Sequence, residues 1–162
     1  MKRLSCFWAL LFALVFTGTA LPGQQLTIQT DSGKQVLLSR TDLEGLPHIK
    51  VTASEHSSAP VNFEGVTLKS VLEKAGVAFG ESMKGQRLTN CLLVGAADGY
   101  RAVIALPELD PAFTDKQTLL VFLRDGKPPG EKEGPYRIVI PDEKRMARWV
   151  RQVTTLKIVD VQ

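Results

Sequence analysis

The chain has 162 residues, 44% hydrophobic and 23% charged, a balance that excludes an intrinsically disordered polymer and suits one globular domain. Its net charge is only +3, so no whole-molecule attraction draws it to nucleic acid. Its two cysteines are Cys6 and Cys91, and Cys6 lies in the stretch expected to be removed, so no internal disulfide staples the domain.

The first residues read MKR, then an apolar run from Leu4 to Phe16, then Thr17-Gly18-Thr19-Ala20. A basic start, a short apolar run and small residues make a signal peptide over 1–20, cleaved after Ala20. The run is too short to span a bilayer comfortably. Lys2-Arg3 stands where a twin-arginine signal has Arg-Arg, which favours Sec export. The expected location is periplasmic or secreted, with membrane attachment only through an uncleaved signal. Cleavage leaves one domain, 21–162, and lowers the net charge from +3 to +1.

Leu26 to Thr30 and Lys34 to Ser39 alternate like strands around an Asp31-Ser32-Gly33 turn. Thr41 reads as a helix N-cap with Glu44 three residues on, and Pro47 stops that turn of helix. His48 to Ala53 is a strand, Ser54 to Pro60 a polar loop, and Val61 to Val66 a strand bending at Gly65. Thr67 caps the main helix, whose stripe is Leu68, Val71, Leu72 and Ala75, with Gly76 past its end.

Leu88 to Leu106 holds two apolar runs around Asp98-Gly99, a strong hairpin signal. A two-residue turn there pairs Ala97 with Tyr100, Gly95 with Ala102 and Leu93 with Ile104. Both faces are mostly apolar, so a central hairpin covered on both sides is expected. Tyr100 stands at its mouth among Gly95, Ala96 and Ala97, which leaves room for a ligand or for close backbone packing. Pro107 to Leu109 opens a helical turn. Thr118 to Arg124 is a buried strand, Asp125 to Pro135 a Gly/Pro-rich loop, Tyr136 to Ile140 a strand, and Thr154 to Val159 the closing strand. The class is α+β, strand-rich, with one main helix.

His48 and His56, with Glu55 beside the second, lack any CxxC or HExxH spacing, so no metal site is expected. Lys144, Arg145, Arg148 and Arg151 form a basic cluster: a solvated face, an anion clamp, or a patch for anionic headgroups or polymers. If the segment is helical, Lys144, Arg148 and Arg151 share one face. Arg137 inside an apolar strand needs either an ion-pair partner or a ligand.

From Phe63 onward the signals come in a set order. FEGVTLKSVLEKAGV is followed by Asp98-Gly99-Tyr100, LLVFLRDGKPP, GPYRIVIP, a basic segment and a closing strand. This order resembles the molybdopterin-binding domain of the sulfite oxidase family, over about 100 residues. The resemblance implies a mixed α+β fold with stacked sheets and a β-grasp-like part. It implies that Tyr100 is an active-site tyrosine, that Arg137 lies near the cofactor side and that Arg151 lies near the pterin. A family histidine is replaced by Glu133. Family enzymes hold molybdenum through a cysteine about a dozen residues before the glycine matching Gly65, and Ala53 or Ser54 stands there. Alanine cannot ligate, and a serine alkoxide is a harder donor. Family members that carry the cofactor are usually exported folded by the twin-arginine route, which this signal does not match.

Together these readings describe an exported binding or accessory module on the family scaffold, without metal or turnover. It would take a small ligand or a periplasmic protein in a cleft near Tyr100, Arg101, Arg137 and Arg151. Molybdopterin is the cofactor the resemblance implies, and none is expected without the cysteine. The alternative is a divergent molybdopterin-dependent oxidoreductase using Ser54, with Tyr100 catalytic.

Overall fold

A computed structural model describes residues 25–55, 59–141 and 143–161. The expected signal peptide over 1–20 and His56 lie outside the described residues.

Among the described residues, nine strands form two sheets. β1 (Leu26–Gln29) and β2 (Gln35–Leu38) pair antiparallel across a turn whose Gly33 has φ 78°. α1 (Arg40–Glu44) follows, capped two residues earlier than the sequence suggests. Ser39 Oγ accepts from the Asp42 N–H at 3.2 Å, and Asp42 Oδ2 accepts from the Ser39 N–H at 2.9 Å. Ser39-x-x-Asp42 closes the same reciprocal box with a shorter acid, and it is the one placed where β2 ends.

β3 (Ile49–Ser54) and β4 (Pro60–Thr67) pair antiparallel, and the pairing along the other side of β4 shifts register between Glu64 and Gly65, where the bend is expected. Thr67 accepts from the Ser70 N–H to start α2 (Leu68–Lys74), which buries Leu68, Val71 and Leu72. Gly76, at φ 97°, ends it as expected.

β5 (Asn90–Ala96) and β6 (Arg101–Ala105) make the expected hairpin in a different register. Gly95 lies opposite Arg101, Leu93 opposite Val103 and Leu92 opposite Ile104. The turn has three residues, not two: the Ala96 N–H donates to Tyr100 O at 3.0 Å, and only Gly99 has positive φ. A two-residue type I′ turn would need Asp98 left-handed as well. One residue of slip changes which β6 side chains share a face with which β5 side chains. Leu92, Val94 and Ile104 face the core, while Arg101 and Val103 are exposed. The hairpin is therefore not covered on both sides, and β6 is an edge strand.

β7 (Leu119–Arg124), β8 (Arg137–Val139) and β9 (Val153–Asp160) complete the set. The sheet orders are β2-β1-β9-β5-β6 and β3-β4-β7-β8. Only β1 and β9 pair parallel. One hydrophobic cluster joins both sheets, from Leu26, Ile28, Leu92 and Leu156 to Phe63, Leu120 and Phe122. The segment before β9 stitches the sheets together. The Ile138 N–H donates to Val150 O, the Val153 N–H to Tyr136 O and the Ala97 N–H to Gln152 O. Among the described residues, no helix is long and apolar enough to cross a membrane.

Candidate functional site

That stitched seam holds a cavity of about 340 Å³. Its walls include Asp98 and Tyr100 from the hairpin loop, Arg137 from β8, and Met146, Trp149 and Arg151 from the connection to β9. Tyr100, Arg137 and Arg151, expected together, are thus brought together from three separate parts of the chain. Arg101 is not. It follows Tyr100 on β6, where successive side chains point to opposite faces, and it lines a different cavity on the outer face of the five-stranded sheet.

The rim and the floor of the cavity differ in character. At the rim, Tyr100 is 48% exposed, and its hydroxyl donates to Ala147 O at 2.7 Å, tying the hairpin to the basic segment. Asp98 Oδ1 accepts from the Tyr100 N–H at 2.8 Å, which fixes the turn. Arg151 is exposed, and no ion pair engages it among the described residues.

Arg137, in the floor, is 2% exposed. It needs a counter-charge there, and two carboxylates supply it. Its Nη2 lies 2.5 Å from Glu55 Oε1 and its Nη1 donates to Glu133 Oε2 at 3.1 Å. Arg124 reaches the same two acids, at 3.0 Å each. The four side chains close a ring of alternating charge. The Arg137–Glu55 approach is a charge contact without hydrogen-bond alignment, since Glu55 Oε1 and Arg137 Nε are both buried without a hydrogen-bond partner. The Arg137 guanidinium also sits 5.4 Å from the Phe63 ring and 5.6 Å from Trp149. Burial alone would lower the pKa of Arg124, but the hydrogen bond to Glu133 and the charges of Glu55 and Glu133 outweigh it and raise it. Of the two roles open to Arg137 in the sequence, the ion pair is therefore present.

Glu55 and Glu133 were missed as partners. Glu55 follows β3 and Glu133 sits in the Gly/Pro-rich loop, and no local pattern joins them. The sequence signals are the unexplained charge of Arg137 and, for Glu133 alone, its place four residues before that arginine.

The basic segment is not a helix but one short 3-10 turn, Met146–Arg148. Arg148 donates to Glu143 Oε1 at 2.7 Å and to Glu108 Oε2 at 3.3 Å, so it belongs to a local ion-pair cluster. Lys144, Arg145 and Arg151 stay exposed. His48 is engaged at both ring nitrogens, by Glu64 Oε1 and Glu44 O, each at 3.0 Å.

The implied molybdopterin fits this cavity in part. Arg151, the orphaned Nε of Arg137, Tyr100 and Trp149 suit an anionic, planar group. Among the described residues no thiol lines the cavity, and neither Ala53 nor Ser54 does. Cys91 is the one cysteine among the described residues, and it lies on β5 opposite Ala105. Among the described residues, no group of three or more His, Cys, Asp or Glu side chains could hold a metal ion.

A family model described as an oxidoreductase molybdopterin binding domain matches residues 20–162. Among solved structures, the sulfane dehydrogenase SoxCD from Paracoccus pantotrophus is similar in fold, with a TM-score of 0.65 at 20% identity. The match covers 88% of this chain but 40% of the dehydrogenase chain, so the likeness is one of fold over part of a larger protein. No curated relative matches the chain.

Proposed function

The chain belongs to the oxidoreductase molybdopterin-binding domain family, and from that premise we propose that it is an exported, non-catalytic binding or accessory module. It uses the seam cavity to hold a small ligand or a segment of a periplasmic partner. The observation that supports this reading is the composition of the cavity. Tyr100, Arg137 and Arg151 line it, while Ala53 and Ser54 stay outside its walls and Cys91 sits on another strand. Recognition groups are retained, and the soft donor that molybdenum takes from a protein is not among them. Arg137 is already neutralised by Glu55 and Glu133, so it shapes and polarises the floor. Arg151 at the rim is the charge left for a ligand.

The test uses the protein as recovered from the exported fraction of its own host. Elemental analysis is expected to show molybdenum far below one atom per chain, and N-terminal sequencing to begin at Leu21. Stoichiometric molybdenum overturns the reading and favours a divergent molybdopterin-dependent oxidoreductase. An intact Met1 in that fraction removes the cleaved signal.

A further inference from the structure

The second cavity, of about 440 Å³, lies on the outer face of the five-stranded sheet. That volume is within the range of about 300–1,000 Å³ usual for small-molecule sites. Strand register lays its residues out in two rows. Gln35 lies opposite Gln29, Gln29 opposite Lys157, and Lys157 opposite Leu93. In the next row Thr27 lies opposite Thr155, Thr155 opposite Gly95, and Gly95 opposite Arg101. Gly95 lowers the floor beside Arg101: a Cβ there would meet Thr155 Oγ1 at 2.3 Å.

One side of an antiparallel sheet is often simply solvated. Two features set this face apart. The cavity has no acidic side chain in its walls, so Arg101 and Lys157 stand there uncompensated. Cross-strand neighbours on a solvated face commonly offset one another's charge, as Glu64 does for Lys50 on the other sheet. The second feature is that the polar side chains are unspent. Gln29, Gln35, Arg101 and Lys157 make no hydrogen bond or ion pair within the described chain, whereas Arg124, Arg137 and Arg148 are each shared between two acids.

We propose that this cavity binds a sugar acid. Arg101 and Lys157 take the carboxylate, since cationic donors make the strong hydrogen bonds to it. The amides of Gln29 and Gln35 and the hydroxyls of Thr27 and Thr155 can each donate and accept, as ring hydroxyls require. Leu93 and the bare Gly95 backbone give the flat, less polar floor on which a ring's C–H face rests. A free uronate and a uronate unit of a polysaccharide present the same chemistry. The site is on a different sheet face from the seam cavity, and it stands whether or not the reading of that cavity does.

The experiment titrates the full chain, at low salt, with glucuronate, galacturonate, glucose, acetate and a galacturonate oligomer, followed by amide chemical shifts. Saturable glucuronate binding is expected, with shifts confined to β1, β5, β6 and β9. The double variant Arg101→Ala, Lys157→Ala is expected to bind about tenfold more weakly or worse while keeping its circular dichroism. The control pair Lys144→Ala, Arg145→Ala, outside both cavities, matches the change in charge and is expected to bind as the parent does. A galacturonate oligomer binding more tightly than monomeric galacturonate identifies a polysaccharide unit as the source, and equal or weaker affinity identifies the free acid. Absence of saturable glucuronate binding overturns the proposal. Glucose binding as tightly as glucuronate removes the role of the cations, acetate binding as tightly removes the sugar, and undiminished binding by the folded double variant removes the site.

Discussion

Arg137 is an arginine built into the cavity floor, and the ring Arg124–Glu55–Arg137–Glu133 supplies the counter-charge there. In such a ring each acid serves two cations, so losing one acid leaves a buried guanidinium half-compensated. Glu133→Gln keeps the shape and removes the charge. It is expected to cost about 2–4 kcal/mol, less than the full penalty of breaking a buried pair because Glu55 remains. Arg124 has a third of its side chain exposed, so Arg124→Met should cost only about 1 kcal/mol. Urea unfolding midpoints measure both. An unchanged midpoint for Glu133→Gln would mean that water reaches Arg137 and that the ring is not what neutralises it. This ring also marks the limit of what could be read from the residues. A charge inside YRIVI announces that a partner must exist. Glu133 stands only four residues before it, but Glu55 comes from beyond β3, and only the folded sheet brings it near.

At the scale of elements, the strands follow from alternation and turn chemistry, and the errors follow from turns. The capping residue of α1 and the register of β5 with β6 were both one local choice among two, settled by contacts beyond the local window. The register slip moved Val103 and Arg101 to the outside together. Gly65 is the opposite case, where a single residue foretold the backbone. It marks the register shift between β4 and β7, and a Cβ there would lie 2.1 Å from Leu120 O and 2.7 Å from Val121 Cα. Both atoms are main chain of β7, which cannot turn aside as a side chain can. Gly65→Ala must therefore part β4 from β7 at the middle of the four-stranded sheet. The expected loss is about 3 kcal/mol, at the upper end of ordinary overpacking. Hydrogen exchange should show the β4–β7 amides losing protection before those of β5 and β9. Equal loss in both sheets would mean that the two unfold as a single unit and that the strain is not held locally.

The whole molecule is held by one core shared between two sheets, and its response to pH follows from groups spread over both. Asp42 is held below the usual carboxylate range by the Ser39 hydroxyl and backbone N–H, and Glu64 chiefly by its hydrogen bond to His48. Burial pushes Asp110 up, but the N–H groups of Ala112 and Gly80 outweigh it and hold it low. The folded state thus binds these protons less readily than the unfolded chain. Their contribution is complete above the ordinary carboxylate value of about 4 and is lost as pH falls through the depressed folded values. Tyr136 works at the other end. Burial, opposed by Arg40 and reinforced by Glu44, pushes its hydroxyl up to about 12. In the unfolded chain it ionises near 10, so stability is unaffected below about 10 and falls as pH climbs from there toward 12. Urea midpoints across pH should therefore form a plateau with an acid edge below about 4 and an alkaline edge above about 10. In Tyr136→Phe the acid edge should stay and the alkaline edge should recede. An alkaline edge unmoved by that substitution would assign the fall to other groups and sever the link between the buried tyrosine and the seam it supports.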